Sequence, residues 1–317
     1  MKKRHYLPFI GLFILLYLII RVGINNILES LFKIKLGYLP LIFIFLIIIT
    51  IISGYKILLI LRKQNINLSL GYLIKITLIS YFYGTITPAK IGYLAKIFYL
   101  KKKTGKKLSE VSSSVIVDRV LDTFSLLLFA TIGSFLIIGH YSNLDIILII
   151  LLVVLSFLFW FFMNKERSKI VLKIIYLFLI PKKYHSDLKE TFNNFYDNIP
   201  KIKHIILPFI LTMIGWILNY TIIYLIAQSL EVKINYFSFI FIYALITIIS
   251  LIPITIAGLG TREAGAMLIL GLFGVEASKT IIISLLGFLF TDVLLSIIGF
   301  YFSLKEGKYE GINNNSV

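Results

Sequence analysis

The sequence predicts an all-α polytopic membrane protein of six to eight transmembrane helices, with two apolar regions broken into re-entrant hairpins. Three observations predict it. The 317-residue chain is 59% hydrophobic and only 15% charged, whereas a soluble domain is about 45–50% apolar and about 25% charged. Its apolar residues gather in runs near the ~20 residues that cross a bilayer core of ~30 Å. Two of those runs are interrupted by Gly, Pro and Thr, and irregular backbone at membrane depth is tolerated only inside protein or beside a water-filled cavity.

Unbroken spans are expected over 7–24, 38–61, 111–139, 144–163, 204–229 and 279–303. The first follows Lys2, Lys3 and Arg4; without a small-residue cleavage site it reads as an uncleaved span rather than a signal peptide. The interrupted regions are 69–100, broken at Gly84, Thr85, Thr87 and Pro88, and 236–275, broken at Pro253, Gly258 and Gly260. Composition does not separate two re-entrant hairpins on six spans from eight full spans. In the re-entrant reading the hairpins enter from opposite faces, and each precedes a long span bearing an acid. That arrangement fits an inverted repeat with a midplane site, although sequence similarity between the halves is weak. Residues 1–310 form one transmembrane domain in this reading. Residues 164–203, mixing Lys with Tyr176, Phe178, Tyr184, Phe192, Phe195 and Tyr196, are an amphipathic cytoplasmic loop, and 311–317 a disordered tail.

A net charge of +17 in a soluble chain would suggest nucleic acid; here the basic residues flank apolar runs, so anionic headgroups and topology account for them and no nucleic-acid partner is expected. Arg62, Lys63, Lys101–Lys103, Lys106, Lys107, the 164–203 loop, Lys305 and Lys308 fall on one side, against Lys33, Lys35, Lys233 and Lys279 on the other. The bias places both termini in the cytoplasm and the chain in the cell membrane as a multi-pass protein. There is no Cys, and His5, His140, His185 and His204 are scattered, so no metal, cofactor or thiol chemistry is expected.

Three motifs carry chemical content. In Thr87–Lys96, Pro88 is expected to open a half-helix whose free N–H groups suit a phosphate, with Lys90 and Lys96 adding charge; the alternative is that both lysines snorkel to the headgroup layer. In Asp118-Arg119-Val120-Leu121-Asp122 the two acids share a helix face and Arg119 reaches Asp122 at i, i+3. They sit deep enough to mark a functional network or a self-neutralising structural cluster. In Pro253–Glu263, Gly258 and Gly260 permit positive φ, Thr261 is placed to cap the next helix, and Glu263 suits its positive end. Arg262 is then available for phosphate, or else simply paired with Glu263 to close the turn. Asp292, halfway along the last span, is expected to partner Arg119 or Arg262, and Asn219 and Gln228 to serve as polar glue between helices.

Taken together, Thr87–Lys96, Asp118-Arg119-x-x-Asp122 and Pro253…Gly258-Leu259-Gly260-x-Arg262-Glu263 resemble the lysylphosphatidylglycerol synthase transmembrane region, a flippase-like membrane family, over nearly the whole chain. Where that family usually has Gly-Glu in the first motif this sequence has Gly92-Tyr93, and where it often has Arg in the final span it has Thr291-Asp292. The aminoacyl-transferase domain of some members is not expected in this chain. The resemblance implies lipid flipping or lipid carriage.

The expected function is therefore translocation of an anionic or glycosylated lipid, an anionic phospholipid or a polyprenyl phosphate, without catalytic residues. Lys90, Lys96, Arg119, Gly258, Gly260, Arg262 and Glu263 would bind substrate, and Asp118, Asp122 and Asp292 form a gating or charge network. The alternatives are a non-catalytic subunit partnering a lipid-modifying or glycosyl-transfer enzyme, and an intramembrane lipid transferase or hydrolase. The last lacks any metal triad or Ser-Lys or Ser-His pair.

Overall fold

The computed structural model describes residues 7–137, 144–162, 164–168 and 185–314. The described elements are helical, as expected of a chain that must satisfy its backbone polar groups within each segment. In order they are α1 (Leu7–Val22), α2 (Ile24–Phe32), α3 (Leu39–Arg62), α4 (Leu70–Thr85), α5 (Lys96–Thr104), α6 (Leu108–Phe135) and α7 (Leu144–Phe162). There follow α8 (His185–Asp197), α9 (Ile206–Ser229), α10 (Tyr236–Leu251), α11 (Thr261–Gly271), α12 (Ala277–Phe288) and α13 (Leu295–Asn314). A π-helical turn, Leu289–Leu294, joins the last two. α13 thus continues into the stretch read as a disordered tail, while Tyr176, Phe178 and Tyr184 of the expected loop lie outside the described residues.

Among the described residues three segments are long and apolar enough to span a bilayer on length and composition alone: Leu36–Arg62, Ile206–Ser229 and Ala277–Glu306. α6 has 28 residues but carries Asp118, Arg119 and Asp122 in its interior. The first expected span, 7–24, corresponds to α1, and the chain turns sharply at its end. The bend between α1 and α2 is 82°, at Gly23, whose φ of 90° is open to glycine at little cost. α2, with Ile24, Leu28 and Phe32 exposed, packs on α12.

Both interrupted regions turn back on themselves. The Tyr72 hydroxyl, in the first turn of α4, donates to the Tyr99 carbonyl of α5 at 3.0 Å. The chain therefore returns to the face from which α4 entered. On that face the Gln64 amide donates to the Ser113 hydroxyl and the Asn198 carbonyl at 2.8 and 2.6 Å. It is the lysine-rich face. The second hairpin begins and ends at the opposite one: Glu231, just before α10, pairs with Lys35 at 2.8 Å and senses the charge of Lys279, in the first turn of α12, the helix that follows the hairpin.

The two halves are related by inversion. Sliding the sequence by the separation between Pro88 and Ile256, which form an antiparallel β-bridge at the hairpin tips, lays α3 on α9 within one residue and α4 on α10 within two. α6 falls on the α12–α13 span. α3 and α9 run in opposite directions, because the Lys35 N–H before α3 donates to the Ser229 carbonyl ending α9 while Ile60 near the end of α3 clusters with Ile205 preceding α9. Packing repeats as well: α4 lies against α13 as α10 lies against α6. At both contacts a glycine lets backbones meet, since a Cβ at Gly299 would stand 1.9 Å from the Leu78 carbonyl oxygen and one at Gly133 2.2 Å from that of Phe241. Such small-residue contacts are how helices associate in lipid.

Candidate functional site

The hairpin tips are built alike. Thr87-Pro88-Ala89-Lys90-Ile91-Gly92 and Thr255-Ile256-Ala257-Gly258-Leu259-Gly260 share a Thr-x-Ala-x-(Ile/Leu)-Gly pattern. Ala89 and Lys90 have φ of 51° and 54°, Ala257 and Gly258 of 53° and 73°. Left-handed backbone at non-glycine residues costs on the order of 1 kcal/mol each and persists only where the surroundings enforce it. Helix after the first tip begins at Ile91, as a 3-10 turn running into α5, rather than at Pro88. The Thr87 hydroxyl accepts the Gly92 N–H at 2.8 Å. At the second tip the cap residue is Gly260, not Thr261: the Glu263 carboxylate accepts the Gly260 N–H at 2.6 Å, and Thr261 donates to the Gly258 carbonyl. These two N–H groups are thus taken up internally.

Those side chains converge on one cavity of about 370 Å³ between the hairpins, α3, α6, α9 and the α12–α13 span. Lys56, Lys90, Lys96, Arg119 and Arg262 line it, with Asp118, Asp122 and Asp292. Gly258, Gly260 and Glu263 lie behind this surface, shaping the second tip. Lys96 is 3% exposed in its side chain and lies 3.0 Å from Asp118, so it does not snorkel to the headgroup layer. Asp118, fully buried, is also 2.8 Å from Lys56, which reaches Asp122 at 2.7 Å. Arg119 pairs with Asp122 at 2.7 Å, as its i, i+3 spacing predicts, and rests on the Tyr93 ring at 4.5 Å.

Asp292 meets neither Arg119 nor Arg262 but Lys90, across the boundary between the halves. Lys90 sits where the tip strikes the π turn bearing Asp292, a position that depth along the helices did not reveal. Arg262 pairs with Glu263, donates from Nε to the Ser284 hydroxyl at 3.0 Å and lies over the Phe288 ring at 4.3 Å. Both readings of that motif meet here: the pair forms, and Arg262 still borders the cavity. Asn219 lines the cavity, whereas Gln228 caps a turn by donating to the Val232 carbonyl at 3.0 Å.

Lys56 is the residue that sequence reasoning passed over. A lysine five positions before the end of an apolar run reads as one more interfacial cation beside Arg62 and Lys63; only the packing of α3 on α6 turns it towards two carboxylates. Among the described residues no three His, Asp or Glu are placed to hold a metal ion.

A family model described as "Lysylphosphatidylglycerol synthase TM region" matches residues 8–299. The chain is similar to "UPF0104 membrane protein MJ1078" of Methanocaldococcus jannaschii, 27% identical over 72% of this chain and 99% of the relative. It is also similar to "UPF0104 membrane protein MJ1595" of the same organism, 23% identical over 94% and 93%. A third relative, "UPF0104 membrane protein PH1989" of Pyrococcus horikoshii, is 20% identical over 96% and 98%.

Proposed function

This chain belongs to the lysylphosphatidylglycerol synthase TM region family, and we propose that it carries an anionic or glycosylated lipid across the membrane. The observation behind the reading is the cavity itself: five cations and three carboxylates held between two oppositely entering hairpins. Each charge at bilayer depth costs about 2.5–3.5 kcal/mol on insertion scales, so a set of this size is retained for use. Half-exposed Arg119, with exposed Thr123 one turn further along α6, brings the cavity to a helix face that lipid can approach. A headgroup would enter there while its acyl chains stay in the bilayer. Arg262 and Lys90 would hold it from the two tips, and Lys96 and Arg119 from the first half. Asp118, Asp122 and Asp292 would hold the cations in place when the site is empty. The chain would act without covalent chemistry, either passively, coupled to an ion or with a partner enzyme. Its lysine-rich face, and with it both termini, would lie in the cytoplasm of a cell membrane.

Reconstituted proteoliposomes containing headgroup-labelled phospholipids and polyprenyl phosphates test this. Label inside the vesicles should become accessible to an external quencher faster than in protein-free vesicles, and more slowly with Arg262→Ala. Rates equal to the protein-free control for every lipid would sink the proposal.

A further inference from the structure

We infer that the cavity selects a headgroup carrying one negative charge, a phosphodiester, over a doubly charged phosphomonoester. The inference rests on the headgroup-chamber reading above and adds the charge state that the chamber accepts. It follows from how the ion pairs are shared. Lys90 has Asp292, and Arg262 has Glu263. The other three cations, Lys56, Lys96 and Arg119, divide only two carboxylates, Asp118 and Asp122. The cluster is therefore one positive charge in excess, and the excess lies on α3, α5 and α6 rather than being spread through the protein. An uncompensated charge in a low-dielectric interior is costly.

Polar atoms without partners lie in the wall of the same cavity. Thr77 lines the cavity, is 2% exposed, and its hydroxyl has no partner; the Arg119 Nε is likewise buried without one. A single surplus charge in a wall with polar groups to spare suits a phosphodiester, which has one charge. A phosphomonoester, whose second pKa is about 6, carries nearly two charges near neutrality. It would turn the excess into a deficit.

Trp216 lines the cavity and Trp160 is the other tryptophan in the sequence, so a Trp160→Phe protein reports on the site by fluorescence. At a pH of about 8, where a phosphomonoester is close to doubly charged, it is titrated with dihexanoyl phosphatidylglycerol, phosphatidic acid and phosphatidylcholine, and with chainless glycerophosphoglycerol. The phosphatidylglycerol should bind at least about tenfold more tightly than the other two lipids, the scale of one mismatched charge at several ångströms in a partly screened site. Arg119→Gln removes the excess and should erase the preference over phosphatidylcholine. Asp292→Asn adds a charge and should shift the preference towards phosphatidic acid. The double variant Lys90→Gln with Asp292→Asn keeps the net charge and should keep the order, separating charge from damage to the fold.

Equal or tighter binding of phosphatidic acid by the parent, an unchanged order in the charge variants, or no response to any ligand overturns the inference. Glycerophosphoglycerol binding as well as the lipid leaves the phosphodiester chemistry standing and makes a soluble molecule its source. Translocation without charge selectivity would defeat this inference and spare the transport reading; selective binding without translocation would do the reverse.

Discussion

Replacing Asp118 by Asn tests whether the interior charges are held by one another. Asp118 is fully buried and bridges Lys96 at 3.0 Å and Lys56 at 2.8 Å. Lys56 keeps Asp122 in the variant, at 2.7 Å. Lys96 loses its carboxylate while remaining 3% exposed. With an effective dielectric of about 20, a pair at 3.0 Å is worth about 5.5 kcal/mol of Coulomb attraction. Breaking one partner of a buried pair costs about 3–5 kcal/mol. The asparagine oxygen still accepts one hydrogen bond, so about 3 kcal/mol is expected. Lys96→Met in the same chain removes the stranded charge and should restore about 2 kcal/mol, a coupling within the range for touching residues. Reversible unfolding in bicelles, followed by tryptophan fluorescence, gives all four corners of the cycle. A single variant within about 1 kcal/mol of the parent, or a double variant no more stable than the single, would refute the view that Lys96 depends on Asp118.

Gly299→Ala and Gly133→Ala should each destabilise by about 1–3 kcal/mol or more in the same assay, because the new Cβ meets a carbonyl oxygen at 1.9 or 2.2 Å. Gly215→Ala, with nothing within 4 Å of its Cβ, should be neutral or stabilising. Lys90→Gln cuts the ion pair between the halves, so amides of the 86–95 segment should exchange faster while those of α11 do not; equal acceleration in both hairpins would contradict a local role. On the lysine-rich face, the hydrogen bond from Lys107, and then its charge, holds the Glu190 carboxyl below the usual glutamate range. A depressed carboxyl stabilises the folded state above its unfolded pKa and loses that contribution as pH falls through its folded value. Protection of α8 amides should therefore decline in acid, and Glu190→Gln should remove the decline.

The helical class and the location of both breaks were legible because apolar run length and Gly/Pro interruption are local properties. So was the Arg119–Asp122 pair, which lies within a single helix. The hairpin direction was not, since α4 and α5 satisfy the same composition whether the chain crosses or returns; the Tyr72–Tyr99 hydrogen bond settles it. The inverted repeat had a readable trace that similarity between whole halves obscured. Thr-x-Ala-x-(Ile/Leu)-Gly occurs at both breaks, and its positive-φ positions are filled by Ala-Lys in one and Ala-Gly in the other. Lys56 and the Lys90–Asp292 pair lay beyond reach because each depends on how helices from distant parts of the chain face one another. The chain's sharp turn at Gly23 falls at the end of the expected first span, and Asn25, Asn26 and Glu29 beyond it give α2 its polar face.

The hairpin tips repeat, but their charges do not. Lys90 occupies the place that Gly258 fills in the other half, and six of the nine interior ionisable residues belong to the first half. A scaffold that looks alike from either leaflet thus carries a polarity of its own. In a carrier, such polarity would make a lipid's residence unequal on the two sides, yet detailed balance would forbid it from pumping. Whatever lowers the barrier for inward passage lowers it equally for the return. Lopsided charge alone would have the protein equilibrate its cargo, and any accumulation on one side must be drawn from a gradient or from an enzyme consuming the cargo there.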